Sequence, residues 1–145
     1  MRWRHPVFVC LILALTHTLI PAASEAADVS VRAAWVRETP PGMTMTAGYM
    51  ELRNNTSRPQ VLVAASSSGF ETVMIHRTIV KGGMAGMEHA SQIELKPSAS
   101  LIFAPGGYHL MLMNPRRTLR AGDPVVINLE FRGGLVLPVA FEVRK

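Results

Sequence analysis

Beyond residue 26 the sequence has no cysteine; the single one, Cys10, lies inside an apolar N-terminal run. That absence excludes a disulfide, a thiol nucleophile and thiolate-ligated zinc or copper from the rest of the chain. A blue-copper electron-transfer centre, which needs a cysteine ligand, is excluded with them. Aromatic residues make up only 6% of the chain, too few to interleave a basic surface that stacks on bases. The basic residues are scattered, apart from Arg116, Arg117 and Arg120, and none form a basic helix. A nucleic-acid partner therefore has little support. There is no Gly-x-Ser-x-Gly elbow, and only three histidines follow residue 26, so hydrolytic constellations are thin as well.

What is present begins with a leader. Met1-Arg-Trp-Arg4 is a short basic start, Val7 to Ile20 is mostly apolar, and Ser24-Glu-Ala26 supplies small residues at the −3 and −1 positions of a cleavage site. These are the parts of a secretory signal peptide. The competing reading is a membrane anchor, but the run is short against the ~20 apolar residues of a spanning helix. Phe8 and Val9 precede Cys10, so it lacks the small residues that mark a lipoprotein cleavage site. The division expected is 1–26 signal peptide and 27–145 one domain, with no stable membrane insertion after cleavage. Removing Arg2, Arg4 and Glu25 from 15 basic and 10 acidic residues leaves 13 and 9, a net +4. A mild positive charge favours docking to an acidic surface and says no more.

Helical patterning is scarce after the leader. Short apolar–polar alternations bounded by Gly, Pro, Asn and Ser predict strands over 29–37 (with Trp35 inward), 45–52, 60–65, 72–78, 92–95, 101–103, 108–113, 125–131 and 135–143. Lys81 to Glu88 reads as a glycine-rich loop, and Arg132-Gly-Gly134 as the turn of a closing hairpin. About nine short strands with frequent turn signals predict an all-β Greek-key sandwich or barrel. Two overlapping glycosylation-type triplets, at Asn54 and Asn55, are better read as a polar turn.

The chemistry concentrates between Met74 and Met113. Five of the nine methionines and all three post-leader histidines fall there. On a strand 108–113, side chains alternate between faces. Tyr108, Leu110 and Leu112 then form a packing face, while His109, Met111 and Met113 share the other. His109 and Met111 would stand roughly 7 Å apart. Met74 and His76 share a face in the same way, opposite Ile75. Methionine most often fills cores, and that reading is preferred for Met43, Met45 and Met50. It is weaker for Met84 and Met87, which have little to pack against in a glycine-rich loop. Neutral thioethers select Cu(I); zinc prefers thiolate, imidazole and carboxylate, and calcium or magnesium need oxygen. A neutral donor set suits transferable copper better than a permanent structural ion.

The spacing His76-x10-Met87-x21-His109-x-Met111 resembles that of the periplasmic PCuAC copper chaperones. Gly106-Gly-Tyr-His-Leu-Met-Leu-Met113, Ala34-Trp-Val-Arg37 and Gly122-Asp-Pro-Val-Val126 are similar to that family too, over about 33–143. The resemblance implies a cupredoxin-like β-barrel with one Cu(I) held by His76, Met87, His109 and Met111. It implies a periplasmic, non-enzymatic carrier serving the CuA site of cytochrome c oxidase subunit II, beside thioredoxin-like copper assembly proteins. Where many members read Met-x-Met, this loop is Met84-Ala-Gly-Met87, which leaves Met84 auxiliary. Met74, His89 and Met113 rank as neighbours. Some members carry a His/Met-rich C-terminal extension for Cu(II); this chain stops at Lys145 without one, which puts a second, Cu(II) site of that kind in doubt. Three alternatives stand beside the carrier: a copper scavenging or tolerance protein, a secreted copper oxidase, and a β-sandwich interaction module with structural methionines. Cleavage after Ala26 would leave Ala27-Asp28-Val29, without the N-terminal histidine that amine-ligated copper monooxygenases need.

Overall fold

The computed structural model describes residues 27–145; the expected signal peptide lies outside the described residues. Ten strands and no helix are found there: β1 Val29–Arg37, β2 Met45–Asn54, β3 Gln60–Ser66, β4 Phe70–Lys81, β5 Met84–His89, β6 Ile93–Leu95, β7 Ser100–Phe103, β8 Tyr108–Pro115, β9 Pro124–Phe131 and β10 Val136–Arg144. They join in the order β5-β4-β8-β7-β2-β1-β10-β9-β3-β6, with β8 also paired to β2. The sheet curls so that β3 packs near β4. The fold is the all-β, cupredoxin-like barrel expected.

Alternation builds its interior. Leu110 and Leu112 of β8, Ile75 of β4, Met50 and Leu52 of β2, Ile127 and Leu129 of β9, and Phe141 and Val143 of β10 pack in one buried cluster. Met50 is 2% exposed, a core methionine as its sequence context suggests. Between β2 and β8 the approach is close at Gly48. A Cβ there would meet Leu112 Cδ1 at 3.4 Å and Leu110 Cβ and Val36 Cγ2 at 3.5 Å. The turn after β2 is clamped by Asn54, which is fully buried. Its Nδ2 donates to the carbonyls of Arg58, Leu95 and Lys96, and its Oδ1 accepts from Thr56 N and Oγ1. A side chain so enclosed is structural, in line with the polar-turn reading.

Two expectations are corrected. Trp35 does not point inward. Ala33 takes a left-handed φ of 50°, and the β1–β2 register slips between Arg32 and Trp35. One extra residue reverses the alternation, so Val36 enters the core and Trp35 lies half-buried against Tyr49, ring centroids 4.7 Å apart. Nor is 81–88 a loop. Gly82 and Gly83, at φ 59° and 79°, form a two-residue turn between paired Lys81 and Met84. Positive φ at both central residues is what a tight hairpin needs, and β5 runs back along β4 to His89.

Candidate metal centre

Strand β8 lies between β4 and β2, and its outer face gathers the donors. Register places His109 opposite His76, and Met111 between Met74 of β4 and Ala47 of β2. Met113 stands between Thr72 and Met45. On the far side of β4, His89 pairs with His76 and Met87 with Thr78. Directly opposed residues in an antiparallel pair share a face. Met45, Met74, His76, Met87, His89, His109, Met111 and Met113 therefore project from one surface, opposite the Leu110–Ile75 interior.

A cavity of about 400 Å³ opens on this surface. Met43, Met45, Met87, His109 and Met111 line it, with Tyr49, Thr78, Arg37 and Pro40 among its walls. Among the described residues no carboxylate lines it, and Arg37 supplies its one charged side chain. That composition disfavours hard cations and leaves thioether and imidazole as the donors. Among the described residues no three His, Cys, Asp or Glu side chains group closely enough to hold an ion. An ion held here by three or more protein side chains must draw on methionine.

His109 is held firmly. It is 6% exposed, and its Nδ1 lies 3.1 Å from the Gly107 carbonyl. A carbonyl only accepts, so Nδ1 carries the proton and Nε2 keeps its lone pair. A backbone partner on one nitrogen is the usual way a ligand imidazole is oriented. His76 stands beside the cavity, edge to face with His109 at 5.9 Å between centroids. Its Nδ1 is buried with no hydrogen-bond partner. Burial, reinforced by repulsion from His109 and His89, holds its pKa below the usual 6.5, so the ring stays neutral and able to donate a lone pair.

Of the four residues singled out by spacing, Met87, His109 and Met111 meet at the cavity and His76 adjoins it. Met43 and Met45, read as structural, in fact line the same cavity, 53% and 44% exposed. Their signal was out of reach in the sequence because only the β2–β8 pairing brings them there. Met84 sits at the hairpin turn opposite Lys81, away from the cavity. Met74 and Met113 stand next in line on the same face.

Fold and site together define a PCuAC-type domain. The solution structure of CuI-DR1885 from Deinococcus radiodurans is 35% identical, with a TM-score of 0.68 over 86% of this chain and 83% of that one. The copper-bound PCuAC domain from PmoF2 gives the same TM-score at 23% identity, over 81% and 92%. The family model described as "Putative lipoprotein LpqE-like" matches residues 29–143, and the chain belongs to that family. A relative in Leifsonia xyli subsp. xyli (strain CTCB07), "Putative lipoprotein Lxx21020", is 32% identical over 97% of this chain and 89% of its own length.

Proposed function

We propose that this domain is an exported copper chaperone that carries one Cu(I) on His76, Met87, His109 and Met111. One observation carries the reading: three of those donors converge with two further thioethers in a cavity that no carboxylate of the described residues lines. Thioethers and neutral imidazole suit Cu(I) and compete poorly for harder ions. The relative solved as CuI-DR1885 supports the same cargo. Met87 is 64% exposed, and an ion reached from solvent through an exposed thioether suits transfer better than storage. Met43 and Met45, at the cavity edge, are placed to pass the ion in or out.

The finer reading is a periplasmic protein whose signal peptide, residues 1–26, is removed. The names of the family and of the Leifsonia relative point to export. Cys10 follows Phe8 and Val9, so a lipid anchor is not carried over from those names. The proposed acceptor is the CuA site of cytochrome c oxidase subunit II, with thioredoxin-like assembly proteins as partners.

The test is a titration of the mature domain against a chromogenic Cu(I) chelator. One equivalent should bind, and Met87→Ala and His109→Ala should each weaken it at least about tenfold, ~1.4 kcal/mol. Unchanged affinity in both variants would overturn the site. Incubating the loaded protein with an apo CuA domain then reads delivery directly. Retention of the ion under conditions where the acceptor is competent would replace delivery with scavenging.

A further inference from the structure

The face carries one imidazole outside the proposed Cu(I) set. His89 closes β5 and is exposed to solvent. It pairs directly with His76 across the β4–β5 ladder, ring centroids 5.7 Å apart and nearly perpendicular. His76 in turn pairs with His109 at 5.9 Å. Three histidines thus cross three strands in a row, and His76 is shared by two gaps. An imidazole nitrogen binds a first-row metal at about 2 Å, so two rings on one ion have centroids roughly 4.5 Å (cis) to 6.3 Å (trans) apart. Both gaps fall within that range. The His76–His109 gap adjoins the thioethers of the cavity. The His76–His89 gap lies on the opposite side of His76, towards water.

The geometry points to a second copper mode at His76 and His89, taking Cu(II) rather than Cu(I). Two imidazoles with water completing the shell form a donor set of nitrogen and oxygen. Such sets favour Cu(II), which also leads the divalent ions in affinity. The buried, unpartnered Nδ1 of His76 shows that this ring has unused donor capacity. Sharing His76 makes the two modes exclusive, so the protein holds one copper in either oxidation state and never two. The exposed hairpin strand supplies one donor to each mode, Met87 to the thioether site and His89 to the imidazole pair. This inference rests on the Cu(I) reading only for its partner site; the imidazole pair stands on its own register and spacing.

The experiment is a Cu(II) sulfate titration of the mature protein, followed by electron paramagnetic resonance, beside the Cu(I) titration. Wild type should bind one Cu(II) with an axial spectrum and hyperfine splitting from two nitrogens. His89→Ala removes an exposed side chain. It should lower Cu(II) affinity at least tenfold and abolish the two-nitrogen pattern, with Cu(I) affinity changed less than twofold. Protein preloaded with Cu(I) should take up no Cu(II) at this site. An unchanged Cu(II) spectrum in the variant overturns the inference. So does an equal loss of both ions, which would make His89 a member of the Cu(I) site. Failure of wild type to bind Cu(I), with Cu(II) binding still dependent on His89, would instead sink the carrier reading and leave this one standing.

Discussion

Among the described residues methionine does two different jobs, and burial separates them. Met50 and Met45 lie on the same strand, five residues apart and therefore on opposite faces. Met50 fills the interior beside Phe103, its partner on β7. Met45 opens onto the cavity opposite Met113. Truncating each should separate stability from binding. Met50→Ala removes a core side chain and should cost about 2–5 kcal/mol of stability, with one Cu(I) still bound. Met45→Ala should leave the denaturation midpoint within about 0.5 kcal/mol of wild type, as surface changes usually do, and weaken Cu(I) several-fold. Chemical denaturation and chelator competition on both variants check this; the opposite pattern would return Met45 to the structural class. The sequence could not sort these two. Both sit in an alternating strand, and which parity faces inward depends on the Thr46–Leu112 and Gly48–Leu110 pairings with a strand more than 60 residues away.

At the scale of the element, the β4–β5 hairpin is the part the sequence hid. Met84-Ala-Gly-Met-Glu-His89 has no β-branched residue and no alternation, so propensity argues against a strand. The turn signal was there in Gly82-Gly83, but a turn predicts a hairpin only when both arms look like strands. What makes β5 a strand is its ladder to β4, from Lys81–Met84 through His76–His89. None of its six residues is buried. Its position therefore depends on that ladder and on the turn. Gly83 at φ 79° is the vulnerable point. A valine there is forced into the left-handed region, at a cost of about 1–2 kcal/mol. Gly83→Val should speed amide exchange across 84–89 while β8, which lies between two partner strands, stays protected. Cu(I) affinity should fall with the hairpin, because Met87 is no longer held over Thr78. Exchange measured by mass spectrometry beside the copper titration checks the link. Loosened β5 amides with intact affinity would show that Met87 is not a principal ligand. The strands with buried faces, by contrast, were legible to within a few residues, because alternation and the Gly133-Gly134 turn agree with their tertiary role.

The whole molecule has an economical division of labour. The barrel interior is apolar and holds without disulfides, and the donor face is built on its outside from β2, β4, β5 and β8. Donors placed outside the core can be exchanged without unfolding it, which a carrier requires. Apart from the buried His109, they also contribute little to stability when the metal is absent, because they bury little. Binding should therefore appear as a separate, additive stabilisation. A ligand that binds only the native state adds about 2.7 kcal/mol when its free concentration is 100 times Kd. For a domain of this size that corresponds to a rise in Tm on the order of 10 °C. Anaerobic thermal melts at fixed, chelator-buffered Cu(I) should show this rise and lose it when a stronger chelator is added. His109→Ala needs a paired reading, since that side chain is itself buried and its loss lowers the apo Tm too. The quantity that decides is the copper-induced increment in each protein, which should collapse in the variant while the apo melt remains cooperative. An increment of the same size in both proteins would place the stabilising copper somewhere other than the β8 face.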